Sequence, residues 1–207
     1  MQEAFVHFQQ NKKTDFLNEW SHIIFHLPYA FHGRRMIFNN WLNWIKNDIT
    51  YKDLLAEIGQ ENDELFIKKA YKSNIYKNFI TSKIAPGEKA SSHIGNMYSA
   101  SVFMSLLSML NYHFDNNREI KNQKVGFISY GSGSKAKIFQ GEIEANWKDK
   151  IKTSKLFESL NKRKEISFDE YQDLHKSKKI SPLSNHSIRF SHTDDSTNSK
   201  GYRRYKI

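Results

Sequence analysis

"HIIFHLPYAFHGRR", His22 to Arg35, decides the fold class. Residues 22–26 carry apolar side chains on successive positions, the pattern of a short strand buried on both faces inside a layered α/β fold. Pro28 cannot continue regular pairing, so the chain turns there and leaves His26 at the end of the strand. The period then changes. Phe38, Leu42 and Ile45 fall at i, i+4 and i+7, with Ile37, Trp41 and Trp44 beside them, which predicts a helix over 31–47 buried on two faces.

Outward from this strand–helix pair the alternation continues. Tyr71, Ile75 and Phe79 form one stripe of a helix predicted over 63–80, closed by a turn at Pro86 and Gly87. Phe103, Leu107, Leu110 and Phe114 give the clearest helical stripe, over about 98–114. "KVGFISY" (124–130) and "AKIFQGEI" (136–143) read as two strands of a hairpin joined through "GSGS". Helices are expected over 147–163 and 167–179, a mobile loop over the Ser/Asn/Asp-rich 181–200, and a final strand over 201–207. The resulting domain division is one α/β domain over 1–180, then that loop and strand.

A chain of 207 residues with 38% hydrophobic and 14% aromatic content can bury a core of its own. No apolar run reaches membrane-spanning length, and the N-terminus lacks the order of a signal peptide, so a cytoplasmic protein without membrane contact is expected. The net charge of +10 invites a nucleic-acid partner. The lysines, however, are scattered over helices and gathered in "NKRKE" and "HKSKK", where solvated faces account for them. No nucleic acid is therefore expected; a smaller anion with several phosphates would use the same charge. The chain contains no cysteine, which removes disulfides, thiolate metal sites and a cysteine nucleophile. His22, His26 and His32 lie close in sequence but have no acidic or thiolate partner nearby, so no metal is expected.

Chemistry concentrates in three places. His26 is either a satisfied core histidine or an imidazole presented at a strand end. "YGSG", Tyr130 to Gly133, is either a plain hairpin turn or a place where Gly131 and Gly133, by lacking side chains, let backbone N–H groups near Ser132 approach an oxyanion. In "GNMY", Asn96 either caps the following helix or donates its amide to a substrate oxygen.

In order, "FHLPY" followed by "GRR", then "GNMYSAS", then "ISYGSG" resemble the hydroxymethylglutaryl-CoA synthase family, over roughly residues 1–145 and in its C-terminal half only. The resemblance implies the C-terminal half of a thiolase-like fold, a mixed β-sheet packed with α-helices, incomplete in isolation. It further implies condensation of acetyl-CoA with acetoacetyl-CoA, an acyltransferase reaction with CoA thioesters as substrates and no cofactor. The family's cysteine nucleophile and glutamate base belong to its N-terminal half, so that half is an expected partner, in the same or another chain, and the fragment alone is expected to be inactive. A homodimer is the family's usual state.

By the same resemblance, His26 is the active-site histidine that polarises acetoacetyl-CoA, with Pro28 beside it. Asn96 helps bind the acetoacetyl group, and Ser132, between Gly131 and Gly133, contributes its backbone N–H to the site. Arg34 and Arg35 match basic positions suited to CoA phosphates, with a solvated helix face as the alternative. Phe31 stands where many members carry a lysine, so the CoA contact of that lysine does not transfer. A catalytically inactive CoA-thioester or protein-binding module is the competing reading. An isolated half is also expected to leave apolar edges such as "HIIFHL" uncovered.

Overall fold

The computed structural model describes residues 1–60, 65–131, 133, 135–176, 191–192 and 205–206. It divides into two compact units, Met1–Asn161 and Lys162–Ile207. The first runs α1 (Gln2–Asn11), β1 (Trp20–Phe25), α2 (His32–Ile45), α3 (Ile49–Ile58), α4 (Phe66–Lys72), α5 (Asn74–Lys83), α6 (Ala85–Ile94), α7 (Ala100–Asp115), β2 (Lys124–Gly131), β3 (Lys135–Glu142), α8 (Trp147–Ile151) and α9 (Leu156–Asn161). The sheet order is β1-β2-β3, with β1 parallel to β2 and β2 antiparallel to β3. The parallel pair requires a long crossover, which α2 to α7 supply; the antiparallel pair is the expected hairpin.

Strand β1 is buried on both faces, and the two faces feed different cores. Ile23 and Phe25 join Ile37, Trp41, Ile45 and Tyr76 on one side. Ile24 joins Val102, Met109, Val125 and Trp147 on the other. The apolar residues of "HIIFHL" are therefore not left uncovered: Ile23, Ile24, Phe25 and Leu27 are each only 1% exposed, because helices of the crossover close over both faces. Near the start of the chain, Phe5, Phe16, Trp20 and Trp44 form one aromatic cluster, so α1 extends the first core.

Some expectations change. The helix over 63–80 breaks at Ser73, whose hydroxyl accepts from the Tyr76 N–H and caps α5. The turn at Pro86 and Gly87 is instead the first turn of α6, where proline loses no intrahelical bond. The helix expected over about 98–114 stands as α7, with Leu107, Leu110 and Phe114 half-buried against the second core, but Phe103 is 71% exposed, whereas Ser101, Ser105 and Ser108 are fully buried. Small residues let neighbouring elements approach α7 closely, and the hydroxyls of Ser101 and Ser108 find partners there. Ser108 Oγ accepts from the Ala90 N–H at 3.0 Å and donates to the Pro86 carbonyl at 2.7 Å, sitting between two groups that an ordinary α6 turn would join to each other. The helix expected over 147–163 divides into α8 and α9, with Lys155 in the left-handed region between them.

In the second unit, α10 (Phe168–His175) begins with a reciprocal capping box between Ser167 and Glu170. Strands β4 (Ser191–His192) and β5 (Tyr205–Lys206) pair antiparallel; β4 falls inside the segment expected as a loop and β5 inside the expected final strand. The rest of 181–204 lies outside the described residues.

His22 on β1 and His113 on α7 meet inside the first unit with ring centroids 4.6 Å apart, each 4% exposed. Burial, reinforced by the charges of His113, Lys83 and Arg118, holds His22 down to about 3; burial and Arg118 hold His113 down to about 4. Both are thus neutral in the folded chain at pH 5, whereas unfolding restores ordinary imidazoles that bind protons below about pH 6.5. Stability is fully present above that value and is lost as pH falls toward the folded values. The urea midpoint is expected to fall between pH 7.5 and pH 5 by the equivalent of about 4 kcal/mol, roughly 2 for each histidine. His113→Leu should flatten that slope, and an unchanged slope would contradict the assignment.

Candidate active site

Adjacent parallel strands end together at one edge of the sheet, the usual place for a ligand in such sheets. His26 follows the last residue of β1, and its backbone N–H still donates to the Ile128 carbonyl of β2 at 2.9 Å. Two residues further along β2 stands Tyr130, its ring edge-on to the His26 imidazole at 5.1 Å between centroids. The start of α7 completes the corner. Ser101 Oγ lies 2.7 Å from His26 Nδ1 and accepts from the Leu27 N–H at 2.9 Å. His26 itself is half-buried, so part of the imidazole stays accessible.

A second ring pair continues from this corner. The His32 ring is 5.5 Å from Tyr130 and 4.5 Å from Tyr29, and the Tyr29 hydroxyl is hydrogen-bonded to His32 Nδ1. Burial, Arg35 and His26 together hold the His32 pKa below the ordinary imidazole value. The Tyr130 hydroxyl is buried with no partner among the described residues. That burial, with the neighbouring Tyr29, pushes it up to about 12, so it is a neutral donor at any physiological pH.

Asn96 precedes α7 on an exposed segment. Its Oδ1 accepts from the Tyr98 N–H at 2.8 Å, so the side chain braces the turn into the helix instead of capping it; the helix N-cap is Ser99. Gly95 and Tyr98 both have positive φ, 89° and 50°, and Oδ1 stabilises this tight entry. Gly131 pairs with Lys135 at the end of the hairpin. A side chain at Gly131 or Gly133 would meet nothing among the described residues within 4 Å, so both glycines border open space there. Ser132 lies outside the described residues. Pro28, in a trans peptide, carries the chain away from β1.

The two arginines separate. Arg34 is engaged by the buried Glu88: its guanidinium donates to Oε2 through Nε at 2.8 Å and through a terminal nitrogen at 2.7 Å, and it lies over the Phe31 ring at 4.5 Å. Arg35 is exposed. The three histidines grouped in sequence also part company, His22 facing His113 while His26 and His32 flank Tyr130.

Sequence reasoning passed over Ser101, Tyr130 and Glu88 as residues of consequence. Ser101 was legible in part, since Ser101, Ser105 and Ser108 recur on one face of α7. Glu88 gave no signal, because nothing in a sequence announces that a carboxylate in a helix's first turn will be buried.

The chain matches the family described as Hydroxymethylglutaryl-coenzyme A synthase C terminal over residues 2–202. It is 25% identical over 189 residues to the hydroxymethylglutaryl-CoA synthase of Haloferax volcanii, covering 84% of this chain and 42% of that protein. With the human mitochondrial hydroxymethylglutaryl-CoA synthase it shares 28% over 174 residues, 76% of this chain and 34% of the other. Among solved structures, PksG, an HMG-CoA synthase from Bacillus subtilis, superposes with a TM-score of 0.58 at 16% identity, over 84% of this chain and 36% of that one. MvaS in complex with 3-hydroxy-3-methylglutaryl coenzyme A gives 0.57 at 21% identity, over 84% and 39%. The fold is thus thiolase-like, as in those synthases, and the chain spans less than half the length of the relatives it matches. No helix among the described residues is long and apolar enough to cross a membrane.

Proposed function

Because the chain belongs to the hydroxymethylglutaryl-coenzyme A synthase C-terminal family, we propose that it forms the acetoacetyl-CoA side of a synthase site condensing acetyl-CoA with acetoacetyl-CoA. The cysteine that carries the acetyl group and the glutamate that removes its methyl proton come from an N-terminal half, in the same or another chain, since this chain has no cysteine. The observation that carries the reading is the corner where His26, at the end of β1, meets Tyr130 of β2 and Ser101 of α7.

In this reading the acetyl carbanion forms a carbon–carbon bond to the ketone carbon of acetoacetyl-CoA while the ketone oxygen gathers charge. His26 donates to that oxygen, and the Asn96 amide adds a neutral donor beside it; fixed donors aimed at developing charge are the main source of such stabilisation. Gly131, Ser132 and Gly133 border the acylated cysteine, where bare backbone lets N–H groups come close. Pro28 holds the chain beyond His26 clear of the substrate. Arg35 meets the CoA phosphates, and Arg34, already tied to Glu88, supports it from the helix. The assembled enzyme works in the cytoplasm as a homodimer.

Reconstitution with a cysteine-bearing N-terminal half tests the proposal. Condensation is expected with the unaltered chain, and His26→Ala is expected to lower kcat by about a hundredfold, the scale of a positioned acid–base group. Condensation that survives the substitution would remove His26 from its role. Retained acetoacetyl-CoA binding without condensation, in every pairing tried, would favour the binding-module reading instead.

A further inference from the structure

Ser101 has a single hydroxyl proton and two nearby groups to satisfy. Its Oγ accepts from the Leu27 N–H at 2.9 Å, which occupies a lone pair, and lies 2.7 Å from His26 Nδ1. The residue is fully buried, and no other acceptor for its O–H is found among the described residues. If His26 Nδ1 carried the proton, Nδ1–H would donate to Oγ and the serine O–H would be left buried without an acceptor, at a cost of about 1–3 kcal/mol. If Nδ1 is bare, the serine O–H donates to it and all three groups are satisfied.

We infer that Ser101 is a positioning residue that fixes His26 in the Nε2–H tautomer, with Nε2–H directed to the open side of the site as the donor to a carbonyl or oxyanion. The inference rests on the proposed role of His26 for its meaning, but the tautomer itself does not depend on any reaction. It also ties the site to the fold. Leu27 and His26 are set by the β1–β2 pairing, Ser101 by the first turn of α7, and α7 is in turn seated against α6 through Ser108. The orienting group is a neutral hydroxyl instead of a carboxylate. It therefore fixes the tautomer through hydrogen-bond satisfaction alone.

Nitrogen-15 NMR of the histidine rings in the chain as it stands reads the tautomer directly. The expected spectrum at pH 8 places His26 Nδ1 in the unprotonated, pyridine-like region and Nε2 in the protonated, pyrrole-like region, without averaging between them. Ser101→Ala should shift both resonances toward averaged positions, and Ser101→Thr, which keeps the hydroxyl, should restore the separation. A pyrrole-like Nδ1 in the unaltered chain would overturn the inference, whatever the variants do. So would an unchanged pair of shifts in folded Ser101→Ala. Because this readout needs no substrate, a fixed Nε2–H tautomer in a protein that never supports condensation would leave the inference standing and defeat the proposed function alone.

Discussion

Gly126→Ala is expected to lower the stability of the chain by about 3 kcal/mol or more, at the severe end for overpacking a filled core. Gly126 lies in the central strand β2, paired with Ile23 of β1 and Gln140 of β3. A Cβ there would sit 2.1 to 2.5 Å from three carbons of the Trp20 indole, far inside van der Waals contact. The indole cannot swing aside at little cost: it is fully buried, its Nε1–H donates to Gln140 Oε1 at 2.9 Å, and Phe16 and Phe5 pack on it. Urea denaturation of the two proteins checks the expectation, and a loss below about 1 kcal/mol would show that the sheet can move apart to admit a methyl group. Trp20→Leu in the same chain should recover part of the loss beyond additivity, because the two substitutions share one clash.

Arg34→Ala is expected to cost about 3 kcal/mol at pH 8 and distinctly less at pH 5. Glu88 is buried, with Oε2 held by Arg34 and Oε1 without a partner among the described residues. Burial raises its pKa above the ordinary carboxylate value, and Arg34 pulls it partly back. A group with a raised folded pKa contributes most below its unfolded value and loses that contribution as pH rises through the folded one. Without Arg34 the folded value climbs further, so the gap between variant and parent widens from pH 5 to pH 8. Replacing both partners with apolar residues, as in Arg34→Met with Glu88→Leu, should recover most of the loss. The same experiment separates structure from function at Arg34. A residue whose main task was to hold CoA phosphates would leave the denaturation curve unmoved and weaken only thioester binding, the behaviour expected of Arg35→Gln.

Much of the architecture was legible because burial leaves a periodic trace. The strand at 22–26 was readable since both of its faces are covered, which demands apolar residues at consecutive positions, and the hairpin at 124–142 was readable from two apolar runs joined through glycine and serine. Helix α2 announced itself through two adjacent stripes because both sides of it are packed. The breaks were less legible. Ser73 ends one helix and caps the next through a hydroxyl bond that competes with helix continuation only in three dimensions. Pro86 reads as a turn in sequence, yet a helix's first turn tolerates it equally well.

By itself, then, the sequence determined the α/β class, the order of the principal strands and helices around the site, the family likeness and the candidacy of His26, because each of these depends on residue type at near-neighbour spacing. Only the tertiary structure decided that Ser101 and Tyr130 stand against His26, that Asn96 braces its own turn, that Arg34 belongs to Glu88, and that the serine face of α7 is buried while Phe103 is not. These are contacts between residues tens of positions apart. A hydroxyl, carboxylate or guanidinium can be satisfied by water, by its own turn or by a distant partner, and its residue type does not distinguish among them. Which partner it finds is settled when the crossover helices close over β1 and exclude water from the groups between them.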